Sequence, residues 1–178
     1  MSNAAMASEI DDVREHLERY RAVTLQYFEI LSEEELCWRP RDDAFTCGQH
    51  LLHIVQGEDF YIRGLAEGEW DLELLRFPKP MPEKAALREQ FDTVRRATIV
   101  YLDSLTDGML GESRRPGHAP IDATLRSWLW FLVEHEIHHK AQLAEYVRAL
   151  GHLPPYFGIP LPLGERPDIA ARQTLGGV

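Results

Sequence analysis

The sequence predicts an all-α fold, a four-helix bundle with long connections and a Pro/Gly-rich C-terminal tail. Four long stretches carry apolar residues at alternating spacings of three and four, which draws one helical face in each. No stretch alternates with period two, so no sheet is expected. The prolines and glycines gather between those stretches and after the last of them.

The first helix is expected from Ser8 to Leu31, on the stripe Ile10, Val13, Leu17, Tyr20, Thr24, Tyr27 and Leu31. The second begins at Thr46, where Thr46-Cys47-Gly48-Gln49 has the form of a capping box, and runs to about Ala66 before Gly68. The third spans about Pro82 to Leu105, with Pro82 suited to a first turn where its missing N–H costs nothing. A loop with Gly108, Gly111, Pro116, Gly117 and Pro120 follows. The fourth spans about Asp122, a good N-cap, to Leu150, with Gly151 just beyond its end. The domain is therefore placed at 8–151. Residues 1–7 read as a cloning scar and a disordered start, and 152–178 as a tail whose Tyr156, Phe157, Ile159 and Leu161 pack back on the bundle.

The chain has 178 residues, 44% hydrophobic and 27% charged, with a net charge of −10. That suits one soluble domain with a real core and argues against a nucleic-acid surface or an anionic membrane. No apolar run has the length of a membrane span, and the start lacks the basic and apolar regions of a signal peptide. Two cysteines, Cys37 and Cys47, are too few for a disulfide framework, so a cytoplasmic setting is expected.

The chemistry concentrates in the fourth helix, at EHEIHHKAQL, residues 134–143. On a helical wheel His139 falls roughly 20° and His135 roughly 60° from the centre of the apolar face, whereas His138 falls roughly 120° away. His135 and His139 are four apart, so their imidazoles stand one above the other and can converge on one ion. The same five residues satisfy HExxH, which makes Glu136 a weak candidate for a catalytic base. A buried carboxylate paired with Arg or Lys is the preferred reading of it. A third ligand must come from elsewhere. On the second helix Gln49, His53, Gln56 and Phe60 form a partly polar line separate from the stripe of Leu51, Val55, Ile62 and Leu65. That line favours His53. His50 shares the neighbourhood, His16 is a reserve, and His118 and His152 lie in loops.

These residues resemble the DinB-like, or DinB/YfiT, superfamily of bacterial four-helix bundles. That family carries one ligating His in a segment like LLHIVQGE and two more in a segment like H-x-x-x-H-[RK]-x-Q, read here as HEIHHKAQL. The resemblance covers about Glu9 to Gly151 and implies His53, His135 and His139 as the ligands of a divalent ion, commonly zinc or nickel. The family's usual Asn before the pair and Arg-Gly after it are replaced by Glu134, Lys140 and Ala141, none of them ligand positions. It also implies a homodimer and, from characterised relatives, a metal-dependent transferase that joins a low-molecular-weight thiol to a small electrophilic substrate. A metal-dependent hydrolase and a non-catalytic metal-binding or stress-response protein are the alternatives.

Other residues carry bland readings beside sharp ones. Glu58 and Asp59 could orient a ligand imidazole but are more often surface charges. Trp128, Trp130 and Phe131 read as core or dimer contacts. Cys47 reads as a buried structural thiol, and Arg114 and Arg115 as a solvated loop rather than an anion site.

Overall fold

The computed structural model describes residues 8–116 and 121–156. It is a helical bundle: α1 (Glu9–Leu25), α2 (Tyr27–Ile30), α3 (Glu33–Leu36), α4 (Cys47–Glu67), α5 (Lys84–Asp103) and α6 (Leu125–Ala149). Short 3-10 turns lie at Leu72–Leu75 and Asp107–Met109. The expected start 1–7, the loop residues Gly117, His118 and Pro120, and the tail from Phe157 onward lie outside the described residues.

The long helices close a ring in which α4 packs on α6 and α5, and α1 packs on the same two. The order around the bundle is therefore α1, α6, α4, α5, and the first two long helices sit across a diagonal. Consecutive neighbours could be joined by a short loop. A diagonal pair needs a longer link, and residues 26–46, with α2 and α3 inside them, supply it. Two apolar clusters fill the interior, one around Leu51, Ile54, Phe91 and Leu143, the other around Val13, Leu17, Leu125 and Leu129. No helix among the described residues is long and apolar enough to cross a membrane.

The helix ends follow local chemistry, with three departures from expectation. Thr46 caps α4 as expected: its hydroxyl accepts from Gln49 N, and the Gln49 side chain accepts from Thr46 N. The first helix breaks at Gln26, where Leu31 then turns extended. The Thr24 hydroxyl donates back to Tyr20 O in the preceding turn, a pattern that loosens helices. The stripe nevertheless continues through buried Tyr27 and Leu31. The third helix starts at Lys84 instead of Pro82, because the Lys84 N–H is held by the Glu33 carboxylate.

The fourth helix is capped by Thr124, which accepts from Ser127 N, and not by Asp122. A two-residue antiparallel ladder, absent from the sequence reading, explains the shift. It pairs β1 (Ser113–Arg114) with β2 (Ala123–Thr124), keeping 123–124 extended. Asp122 binds Ser113 and Arg115 instead.

Candidate metal centre

His53 of α4 and His135 and His139 of α6 come together at the contact between the two helices. Each offers one ring nitrogen, and these three atoms all lie within 4.8 Å of one another. Ring centroids are 5.1 Å apart for His53–His135, 4.5 Å for His53–His139 and 4.6 Å for His135–His139. Metal–nitrogen bonds of about 2.0–2.1 Å place two ligand nitrogens at most about 4.2 Å apart. Small side-chain rotations close the triad onto one divalent ion, so these residues could hold a metal.

Two sequence features make this approach work. The i,i+4 spacing stacks His135 and His139 on one side of α6. On α4, Gly57 clears space for the His135 ring: a Cβ there would stand 2.4 Å from His135 Cε1. A mid-helix glycine costs helix stability, and here it makes room for a ligand.

The electrostatics suit ligation by nitrogen. Burial, followed by the repulsion that a protonated His135 would meet from His139 and His53, pushes His135 down to about 3. Burial and His53 bring His139 to about 4, and burial lowers His53. All three are neutral near pH 7, the form that binds a metal. Gln142 accepts from His139 Nδ1 at 3.0 Å and donates to His138 Nε2 at 3.1 Å. The first bond leaves His139 Nε2 for the ion and fixes the ring's direction.

The mouth of the centre is an open cavity of about 460 Å³ touched by His50, His139, Arg41, Gln142 and Tyr146. A larger groove of about 650 Å³ between α4 and α5 contains none of the three histidines and has no bearing on them. His50 is buried, 6.1 Å from His139, and edge-packed on Tyr146 and Phe45. Its Nδ1 is buried without a hydrogen-bond partner. Phe45 and Phe77 also pack against His53.

Glu136 does not serve the triad. It is 2% exposed and turns to the centre of the bundle, where Arg21 Nε donates to Oε1 at 3.0 Å and Arg95 Nη2 to Oε2 at 3.1 Å. The weak assignment as a base is corrected: the carboxylate is spent on two guanidinium groups. Glu58 belongs to the same cluster and is neither a partner of a ligand imidazole nor a surface charge. It accepts from Arg21, from Arg95 Nη2 at 3.0 Å and from the Thr98 hydroxyl at 2.5 Å. Burial works against its charge, but Arg21 and Arg95 overcome that and hold it down at about 2. The same carboxylates keep Arg21 charged against its burial.

The remaining candidates lie elsewhere. His16 sits against Trp130 and Tyr20, His152 binds Glu35 at 2.6 Å, and His138 is exposed. His118 lies outside the described residues. Asp59 pairs with Arg63 across one turn, Arg114 with Glu112, and Arg115 with Asp122. Cys47 is a buried thiol pushed up to about 12, first by burial. Trp128 is core, and Phe131 is 36% exposed.

The sequence reading missed Gly57, Gln142, Arg21 and Arg95. Arg21 falls beside the stripe position Tyr20 and carried no signal of its burial.

Comparison with known proteins places this architecture. The family model described as the DinB superfamily matches residues 16–143. YjoA of Bacillus subtilis (strain 168) is 27% identical over 139 residues, 77% of this chain and 88% of that protein. The crystal structure of that DinB-like protein superposes with a TM-score of 0.67 at 23% identity, covering 84% of this chain and 99% of its own. A DinB-like protein from Bacillus cereus ATCC 10987 gives 0.68 at 20% identity, covering 82% and 95%. YfiT from Bacillus subtilis, described as a probable metal-dependent hydrolase with an unusual four-helix bundle topology, gives 0.64 at 21% identity, covering 85% and 94%.

Proposed function

The chain belongs to the DinB superfamily, and from that premise we propose that it is a metal-dependent transferase. It holds a zinc or nickel ion on His53, His135 and His139 and joins a low-molecular-weight thiol to a small electrophilic substrate. The observation that carries this reading is the convergence of three imidazole nitrogens within 4.8 Å. Closed structural sites use four protein ligands, whereas three leave a position for exchange. An ion held this way lowers the pKa of a bound thiol or water and so supplies a nucleophile near pH 7.

The chain's own groups support a thiol as the nucleophile. Gln142 orients His139 at the mouth, and Phe45 and Phe77 shield His53. The two buried carboxylates nearest in sequence, Glu58 and Glu136, are committed to Arg21 and Arg95. A water nucleophile is usually helped by a protein base. A thiol with a depressed pKa carries its charge without one. Hydrolysis is the second reading, favoured by the description of YfiT. A homodimer in the cytoplasm is the expected state.

The test starts with elemental analysis of tag-free protein purified without nickel, wild type and His139→Ala. Near-stoichiometric metal is expected in the first and little in the second. The loaded protein is then assayed with a panel of thiols and a chromogenic electrophile, and with ester substrates lacking thiol. Turnover that needs a thiol and disappears in His135→Ala supports the transferase. Thiol-independent turnover moves the assignment to hydrolase. Bound metal without either activity leaves a non-catalytic metal protein, and absence of metal defeats the reading at its root.

A further inference from the structure

The line of side chains that carries the ligands on α6 continues past them. Ser127, Phe131, His135 and His139 follow one another at intervals of four, so they stand in one row on the helix. On α4, Tyr61 stands one turn beyond Gly57 and faces the same row. The first half of this row borders a cavity of about 300 Å³, walled by Phe60, Tyr61, Trp128 and Phe131, with Ser127 and Ala123 at its edge. Among the described residues, none that lines it is charged.

The cavity adjoins the triad. Phe131 lies 6.0 Å and Tyr61 6.3 Å from His135, ring to ring. The aromatic walls brace one another, with Tyr61 5.0 Å from Phe131 and 5.6 Å from Trp128. The Trp128 indole N–H is already used, donating to Arg114 O at 3.0 Å, so the ring's carbon surface is what the cavity meets. Phe131 is partly open to solvent, which gives a way in.

We propose that the substrate of the metal centre carries a flat apolar group, aromatic in character, that lodges in this cavity against Tyr61, Trp128 and Phe131 while its reactive end reaches the triad. This rests on the metal-centre reading above and names its substrate class. Size fits: an apolar cavity of about 150 Å³ takes up benzene, so this one admits one or two rings. Chemistry fits as well. Aromatic groups pack edge-to-face against such walls, whereas a charged group would lose its water with nothing to replace it. The row geometry then aligns the ring in the cavity with the ligand histidines one and two turns along α6.

Zinc-loaded protein is titrated by calorimetry with acetohydroxamate, which needs only the ion, and with 2-naphthylacetohydroxamate, which adds a two-ring group. The naphthyl compound is expected to bind wild type about tenfold tighter or more. That margin should vanish in Ser127→Phe, whose ring fills the cavity from an exposed position, and shrink in Phe131→Ala. Zinc and acetohydroxamate should bind wild type and Ser127→Phe alike. Equal affinity of the two compounds for wild type, or a margin that survives in Ser127→Phe, overturns the inference and leaves the metal centre standing. No zinc uptake by wild type overturns the metal-centre reading first, and the inference with it.

Discussion

Two polar clusters lie side by side on the same helices and are built on opposite plans. Gly57 and His135 face the triad, whereas their chain neighbours Glu58 and Glu136 face the bundle axis. The axial cluster takes one charge from each long helix: Arg21, Glu58, Arg95 and Glu136. Two positive and two negative groups pair with one another out of water, helped by the Thr98 hydroxyl and the Phe91 carbonyl. The triad brings three imidazole nitrogens from only two helices within 4.8 Å of one another. The first cluster is complete within the fold, and the second is one that could hold an ion.

The sharpest way to break this contrast is Arg21→Ala. It leaves Glu58 and Glu136 with one guanidinium between them in the dry centre of the bundle. Removing one partner from a buried ion pair costs about 3–5 kcal/mol, so urea unfolding should show a loss of that size. A loss under about 1 kcal/mol would mean that the cluster does not hold the four helices.

Acid separates the two regions by pH. Glu58 sits at about 2 in the folded chain against an ordinary 4.5, so its stabilisation is complete above 4.5 and lost as pH falls toward 2. At about 1.4 kcal/mol per unit this amounts to about 3 kcal/mol. His135 and His139, ordinarily at 6.5, are held neutral down to about 3 and about 4. The unfolded chain takes up those protons first, so the metal-free protein should begin to lose stability already below 6.5. Urea midpoints measured across pH 7 to 3 should show the earlier decline reduced in His139→Ala and the later one unchanged. A single decline confined to pH below 4.5 would show that the histidines are not held neutral by the fold.

The next effect belongs to the triad alone. His139→Ala should weaken metal binding by more than the about 100-fold that marks the upper end for outer-shell changes. The unfolding free energy of the metal-free protein should stay within about 1 kcal/mol of wild type. Competition with a chromophoric chelator and urea unfolding read the two quantities. Collapse of the metal-free variant would place His139 in the core and erase the contrast with Arg21.

How far each region could be read from sequence follows from the same difference. The His135–His139 pair was legible because both partners lie on one helix, where spacing alone decides that they meet. His53 needed more, a polar line on α4 and a family resemblance, because its partners are on another helix. The axial cluster was not legible as a cluster. Helical periodicity assigns a residue to a face of its own helix and says nothing about which residue of another helix it will find. Arg21 thus drew no notice beside Tyr20, and Glu58 looked like a surface charge. The order of the helices around the ring was hidden for the same reason. The start of α6 was lost differently: Asp122 and Thr124 are both good caps, and pairing with Ser113–Arg114, nine or more residues upstream, decides between them.

The smallest predicted effect tests the hinge between the two regions. Gly57→Ala adds a methyl group that would stand 2.4 Å from His135 Cε1 and 3.0 Å from Nε2. The imidazole is the free end of a side chain and can swing away, while the α4 backbone cannot. Metal affinity should therefore fall about tenfold or more, as when a ligand is misdirected. The metal-free bundle should be as stable as wild type or more so, since alanine gains about 1 kcal/mol over glycine inside a helix. Opposite signs for binding and stability in one variant are what a glycine kept for the site requires. A glycine kept for helix packing would lower both together.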